Sequence, residues 1–188
     1  VTAAASCDTT AAQALQVCVA SVNTAQGACY WEQDSACDDS DADIIDAQAT
    51  LQSTLENSCT EGEFMGLSLD AAAGRLQADC KAQPDSIAWR TFGGPQGAVW
   101  PSATPEQRDC LQTAHETVSQ FFDDSLIAIN TCLGEETCDA SAVASAQKAA
   151  AVSATAAITA ACPALADLIA VEPDTYIAMA EDQIDCSV

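Results

Sequence analysis

The sequence predicts an all-α protein, a tandem duplication of a disulfide-stapled three-helix unit that forms two small helical bundles without a β-sheet. Apolar residues recur at helical spacing, and alternating β-branched runs typical of strands are absent. The cysteine spacing repeats once along the 188 residues. With 40 alanines and 11 cysteines, the bundles are expected to have thin cores reinforced by covalent crosslinks.

The cysteine spacing divides the chain into two copies. In the first copy, Cys7, Cys29, Cys37, Cys59 and Cys80 are separated by gaps of 21, 7, 21 and 20 residues, and Cys18 is an extra cysteine whose counterpart in the second copy is Phe121. From Cys110 to Cys186, the gaps are 21, 5, 23 and 23 residues. Four successive gaps that differ by at most three residues indicate a duplication. The predicted units are a first repeat at 1–80, an aromatic, Gly- and Pro-containing linker at 81–109, and a second repeat at 110–188.

Each copy contains three apolar stripes, and each stripe predicts one amphipathic helix. The stripes of the first copy are Leu15, Cys18, Val19 and Val22, then Ile44, Leu51 and Leu55, then Leu69, Ala72, Leu76 and Cys80. Those of the second copy are Leu111, Ala114, Val118, Phe121, Phe122 and Ile129, then Val143, Ala150, Ala154 and Ile158, then Tyr176, Ala180 and Ile184. The segment 104–107, Thr-Pro-Glu-Gln, has the pattern of a capping box with proline at the first helical position.

Helix lengths predict the disulfide pairing. The first two helices of each copy span about 30 Å at 1.5 Å per residue, so their ends coincide in an antiparallel hairpin. The third helix returns part of the way, which brings Cys80 level with Cys18. Cys186 faces Phe121 instead and is predicted to be free or intermolecular. The alternative joins Cys80 to Cys186 and leaves Cys18 as a buried thiol. The predicted pairs are Cys29–Cys37, Cys132–Cys138, Cys7–Cys59, Cys110–Cys162 and Cys18–Cys80.

The charge and the cysteine count restrict the partners and the compartment. A net charge of −23 opposes binding to nucleic acids and to anionic membranes, because both require a basic face. No Cys-x-x-Cys pair or zinc-ligand spacing is present, so no cofactor is expected and the cysteines indicate an oxidising compartment. We therefore expect a mature secreted or cell-surface protein whose signal peptide has been removed, without membrane insertion.

Aromatic side chains concentrate in the linker and at the tip of the first helix hairpin. Aromatic rings beside a guanidinium group on a loop are typical of a contact surface. The alternative is that the linker rings cap the junction between the bundles and that the tip rings plug the bundle end. The predicted partner-binding residues are Trp89, Arg90, Phe92 and Trp100 in the linker, with Tyr30 and Trp31 at the tip.

The acidic segment 38–46 resembles a calcium loop only in part. Asp39, Asp41 and Asp43 occupy positions 1, 3 and 5 of such a loop. Ile44 replaces the glycine of its turn and Thr50 replaces its bidentate glutamate, which excludes an EF-hand. We expect a solvated helix start here, with weak calcium binding by the three aspartates as the alternative.

No catalytic constellation is evident in the sequence. The single histidine, His115, has no second histidine to support it, and no serine lies in a Gly-x-Ser-x-Gly segment. We expect His115 to face solvent and the chain to be a non-enzyme. The predicted function is that of an extracellular structural protein that acts through protein contacts or self-assembly. The alternatives are a soluble recognition or signalling protein, pheromone-like or effector-like, and a small lipid-binding carrier. Small-molecule binding is otherwise not expected, because Ala-faced helices pack closely.

Overall fold

The computed structural model describes residues 3–64, 66–93, 98–135 and 137–186. These residues form helices and the connections between them. No strand occurs in these ranges, so the all-α prediction is confirmed. Within the same ranges, no helix has the length and apolar character that a membrane span requires. The elements are α1 (Ala3–Gln33), α2 (Ala42–Ser58), α3 (Leu69–Phe92), a 3-10 helix (Trp100–Ser102), α4 (Pro105–Leu133), α5 (Ala140–Ala161), α6 (Leu165–Ile169) and α7 (Pro173–Cys186).

Helix α1 is central, since it packs against α2, α3 and α4. The predicted stripe of α1 is buried, and it meets the buried stripe of α2. On the other side of the molecule, α4 packs against α5, α6 and α7. Full burial of a Leu, Ile or Val side chain contributes about 1.5–3 kcal/mol relative to exposure. The stripe positions that are most fully buried are Val22, Ile44, Leu51, Leu55, Leu111, Val118, Phe122, Ile158 and Ile184.

Disulfides close both helix hairpins, α1–α2 and α4–α5, at their two ends. At the open end the bond spans 52 residues in each hairpin, and at the turn end it spans 8 residues in the first and 6 in the second. A fifth bond joins α1 to α3. The pairs are Cys7–Cys59, Cys29–Cys37, Cys110–Cys162, Cys132–Cys138 and Cys18–Cys80, the same five that the helix lengths predict.

Cys186 is the cysteine that these bonds leave over. The five disulfides use each of the other ten cysteines, so the 188 residues offer Cys186 no cysteine to pair with. The bond between Cys18 and Cys80 also removes the alternative of a Cys80–Cys186 bridge. The backbone of Cys186 ends α7, whereas its side chain lies outside the described residues.

The sequence predicts that the third helix ends at Cys80, but α3 is longer. It continues to Phe92, so the first part of the predicted linker 81–109 is helical. Pro84 lies within the helix, and the side chain of Lys81 donates to Asp85 one turn later at 2.6 Å. The extension is helical because its apolar residues continue at helical spacing. Its buried side chains after Pro84 are Ile87, Ala88, Thr91 and Phe92.

Gly93 ends α3 in the left-handed conformation, with φ of 88°. A Cβ atom added there would lie 2.7 Å from the backbone nitrogen of Val99, closer than real contacts allow. Only glycine therefore fits this turn, which reverses the chain toward the 3-10 helix. Thr104 and Gln107 then form the predicted capping box of α4, with reciprocal hydrogen bonds of 2.8 and 3.3 Å.

The two halves of the chain are not separate bundles. One hydrophobic core contains buried residues from α1 to α7, because α1 and α3 both pack against α4. The predicted boundary after residue 80 falls inside α3, and the second half contains the additional short helix α6. Ala-rich helices approach closely but bury little surface each, so packing the two hairpins together provides the larger core.

Candidate functional site

Three of the six side chains predicted to contact a partner form a buried aromatic cluster. The ring of Phe92 lies 4.2 Å from that of Tyr30 and 5.2 Å from that of Trp100, measured between centroids. No more than 1% of each of these residues is exposed. Burial raises the pKa of the Tyr30 hydroxyl to about 12. These three rings join the ends of α1 and α3 to the 3-10 helix and do not form a contact surface, contrary to the expectation.

Asp34 holds this aromatic cluster in place, and the sequence analysis does not single it out. Its carboxylate accepts hydrogen bonds from the indole nitrogen of Trp100 and from the guanidinium of Arg108, both at 2.8 Å. Asp34 ends α1 with φ of 58°, a conformation that aspartate tolerates better than most residues. The residue thus ends one helix and fixes the start of α4.

Trp31 remains exposed beside the buried cluster. About 52% of Trp31 is accessible, and its ring lies edge-on to Trp100 at 5.8 Å between centroids. The guanidinium carbon of Arg108 lies 5.1 Å from the ring centroid of Trp100 on the same cleft. The cleft has a volume of about 560 Å³, and Ala103, Pro105 and Asp109 complete its lining. A rigid indole beside a guanidinium group is the composition of an interaction hot spot.

Trp89 and Arg90 lie on the C-terminal part of α3. Trp89 is 57% exposed, and its partner-binding role stays a prediction. Arg90 is only partly exposed, and its guanidinium donates to the backbone oxygen and the hydroxyl of Ser86 at 3.1 and 3.3 Å. Burial lowers the pKa of Arg90 below its ordinary value. Of the predicted set, Trp31 and Trp89 are the two clearly exposed side chains.

The acidic segment forms a helix start, as the sequence analysis expects. Asp41 is the N-cap of α2 and accepts from the backbone nitrogens of Asp43 and Ile44 at 3.0 and 3.4 Å. Asp39 is exposed and pairs with the ammonium of Lys81 at 3.1 Å. Within the described ranges, each close grouping of possible metal ligands includes a disulfide, whose sulfurs carry no thiolate charge.

His115 is buried, although the sequence analysis expects it to face solvent. Only 2% of the residue is exposed, and its ring lies 5.1 Å from that of Phe92. Burial lowers the pKa of His115 to about 4, so the imidazole is neutral at pH 7. The expectation failed because α1, which covers this face of α4, is distant in the sequence. Asn23 of α1 is also 2% exposed, and together with His115 it lines a cavity between α1 and α4.

The position of Asn23 could have been recognised from the sequence. Val19, Asn23, Gln26 and Tyr30 follow one another at helical spacing, so the buried stripe of α1 continues through two polar residues. Gln26 accepts from the backbone nitrogen of Cys37 at 3.1 Å and donates to Asp85 at 2.7 Å, which joins the α1–α2 turn to α3. Asn23, by contrast, makes no hydrogen bond through its side chain. In the sequence, a polar residue within an apolar helical stripe is the pattern that indicates this cavity.

Acid is expected to destabilise the protein through His115. An unfolded imidazole has a pKa of about 6.5, so the unfolded chain binds more protons than the folded one between about pH 6.5 and 4. Stability falls as the pH decreases through this window, by roughly 2–3 kcal/mol at pH 4.5. The variant His115→Gln lacks this titration and is the control. Urea unfolding of both proteins at pH 7 and 4.5 measures the difference, and equal losses would contradict the prediction.

The surroundings of His115 lack the contacts of a nucleophilic dyad. Ser119 lies one turn after His115 and lines the same cavity. Neither the Nε2 atom of His115 nor the hydroxyl of Ser119 has a hydrogen-bond partner, so the imidazole does not accept a proton from this serine. A serine nucleophile requires such a base within about 3 Å.

We find no match to this chain among protein-family models, curated proteins or solved structures.

Proposed function

We propose that this chain is a non-enzymatic, extracellular structural protein that assembles with further copies of itself. The observation that carries the proposal is the cleft lined by the exposed Trp31 and by Arg108, with the buried ring of Trp100 packed behind them. The cleft wall is pre-organised, because Asp34 already holds both of its polar groups. Docking a second surface there orders few side chains, and this reduces the entropic cost of binding.

Five disulfides support an oxidising, extracellular setting for this function. Cys186 supports assembly, since a cysteine near the end of α7 that the five disulfides leave over is suited to an interchain bond. The charge of −23 makes copies repel, and physiological salt screens this repulsion beyond about 8 Å. Contact through the cleft is therefore expected at physiological rather than at low ionic strength.

We also propose that the two halves arose by tandem duplication of one three-helix unit. Both hairpins carry a disulfide that spans 52 residues. In both halves the residue after the turn cysteine, Asp38 or Asp139, accepts from the backbone nitrogen and the hydroxyl of the serine two residues later. These hydrogen bonds lower the pKa of both carboxyls. The third helices have diverged, with 24 residues in α3 and 14 in α7.

Replacing Trp31 with alanine is expected to weaken self-association about thirtyfold, which corresponds to about 2 kcal/mol for a hot-spot tryptophan. The measurement is sedimentation equilibrium at physiological salt, with Cys186→Ser in all samples so that association is non-covalent. Trp89→Ala removes an equally exposed indole elsewhere and is the matched control. With Cys186 restored, the assembled protein should form a dimer that reductant separates.

A wild-type chain that stays monomeric at all concentrations would overturn self-assembly and favour the recognition or signalling alternative. Equal weakening by Trp31→Ala and Trp89→Ala would show that the cleft has no special part in the association. Retention of the dimer by both variants would place the interface elsewhere. Circular dichroism of each variant verifies that the helices are intact before these outcomes are compared.

A second apolar groove favours the lipid-carrier alternative. It has a volume of about 370 Å³ and lies between α1, α3 with the segment before it, and the end of α4. Its apolar lining includes Leu15, Phe64, Leu67, Leu76, Leu126 and Leu133. Arg75 also lines the groove and would suit an acidic headgroup, although Asp8 and Asp79 lie there too. Mass spectrometry of the protein purified from its natural source, under non-denaturing conditions, would detect a bound lipid and so favour this alternative.

A further inference from the structure

A polar cavity lies between α1 and α4, away from the Trp31 cleft. Its volume is about 310 Å³, enough for a small organic molecule. Buried or partly buried polar side chains from both helices line it, with two carboxylates among the lining residues. The lining includes Asn23, Gln112, His115, Glu116, Ser119 and Asp123.

Five polar side-chain atoms of the residues that line this cavity are buried without a hydrogen-bond partner. They are both side-chain atoms of Asn23, the Oε1 of Gln112, the Nε2 of His115 and the hydroxyl of Ser119. Each buried polar atom left unpaired destabilises the folded protein, because it loses its hydrogen bonds to water without gaining others. Native proteins satisfy nearly all such atoms, so a group that enters the cavity and pairs with them is strongly favoured.

The unpaired atoms are mostly acceptors. Gln112 donates through Nε2 to Glu116 at 3.1 Å, and this fixes its Oε1 as an unpaired acceptor. Asn23 adds a second carbonyl oxygen, and Ser119 adds a hydroxyl oxygen. The donors that these two residues add are the amide nitrogen of Asn23 and the hydroxyl of Ser119. A ligand that fits must therefore donate several hydrogen bonds.

Charge restricts the ligand further. The carboxylates of Glu116 and Asp123 belong to the lining, and no lysine or arginine does. Asp123 also accepts a hydrogen bond from the side chain of Gln16. Two carboxylates without a cationic partner in the cavity, in a chain of net charge −23, repel an anion and attract a cation.

Gly27 gives the cavity part of its space. An added Cβ atom at this position would lie 3.2 Å from the Nδ1 atom of His115 and 3.3 Å from the Nε2 atom of Gln112. Both are tighter than ordinary van der Waals contacts. An alanine here would therefore displace His115 and Gln112, two of the α4 side chains that line the cavity.

We propose that this cavity binds a small molecule with a primary ammonium group. The ammonium group supplies three N–H donors to the carbonyl oxygens of Asn23 and Gln112 and to the hydroxyl of Ser119. Glu116 and Asp123 compensate its charge. This inference does not depend on self-assembly, and it differs from the expectation of no small-molecule ligand because that expectation assumed close packing between all helices.

The test is a titration with 1,4-diaminobutane at physiological salt, followed by NMR of the imidazole protons and by calorimetry. The chain has one histidine, so its ring signals report on this cavity without assignment ambiguity. We expect saturation at one equivalent, with a shift of the His115 signals. The diol 1,4-butanediol has the same length without charge, and it should bind at least tenfold more weakly.

Asn23→Leu removes the unpaired amide without changing the charge, and it should weaken diamine binding at least tenfold. Asn57→Leu makes the same substitution on an exposed face of α2 and should leave binding unchanged. If Asn23→Leu does not fold, Gly27→Ala tests the cavity by occupying its space and should weaken binding as well.

Diamine binding that does not saturate and is equal in all variants would show attraction to the acidic surface only. That result would overturn the proposal. Equal affinity for the diol would overturn the ammonium assignment in favour of a hydroxyl ligand. The absence of any shift at His115 would leave ordered water as the partner of these atoms, which also overturns the proposal. None of these outcomes affects the Trp31 proposal, because its readout is the oligomeric state.

Discussion

Replacing Trp100 with alanine is expected to lower the free energy of unfolding by about 3–5 kcal/mol. Trp100 is completely buried and contacts Phe92, Trp31 and Arg108 through its ring. Its removal leaves a cavity between the ends of α1 and α3, and it also leaves Asp34 without the indole hydrogen bond. The cavity in the core is the main cause of the loss, because the Asp34 side chain is 58% exposed and water replaces the indole donor there.

Urea unfolding with the disulfides intact measures this loss, and thermal unfolding should show a midpoint roughly 10 °C lower. Trp89→Ala is the control, because it removes the same side chain from a position that is 57% exposed. The control should change stability by less than about 1 kcal/mol. Equal effects of the two substitutions would contradict the position of Trp100 in the core.

Removing the disulfide between Cys110 and Cys162 by two alanine substitutions is expected to cost about 4 kcal/mol of stability. The bond closes a loop of 52 residues in the unfolded chain, so its loss restores a large conformational entropy. This bond holds the open ends of α4 and α5 together. The thin Ala-rich face of α5 provides little packing to replace it, since its buried residues are Ala151, Ala154 and Ile158.

Cys132→Ala with Cys138→Ala is the matched control, because that bond joins the same two helices at the turn. Its loop spans 6 residues, and the expected loss is about 2 kcal/mol. The difference between the two double variants in denaturant unfolding reports the dependence on loop length. Equal losses would show that local strain or packing, and not chain entropy, determines what these bonds contribute.

The helices and the disulfide pairs were accessible from the sequence because they depend on local rules. The helical repeat places Val22, Leu51 and Ile158 on buried faces, and all three are buried. The fixed rise of 1.5 Å per residue determines which cysteines lie level in a hairpin, and this geometry suffices for Cys7 with Cys59. For Cys80 it favours Cys18 but leaves Cys186 as an alternative, which the structure removes.

The continuation of α3 shows where a local argument fails. Aromatic, glycine and proline residues after Cys80 predict a linker by composition, yet Ile87 and Phe92 extend the helical stripe. The helix forms because these side chains are buried against neighbours from other parts of the chain. Tertiary packing of an amphipathic face stabilises a helix more than propensity does.

The sequence by itself determined the helical class, the two hairpins and the four disulfides that close them, but it left open whether Cys80 pairs with Cys18 or with Cys186. Only the tertiary structure decided which polar and aromatic side chains are exposed. Trp31 is exposed and Trp100 is buried, although both are tryptophans near element ends, because Asp34 holds Trp100 inward. His115 is buried because α1 covers it, and α1 is about 90 residues away in the chain. Burial is a property of contacts between distant segments, and the spacing of residues along one helix does not contain it.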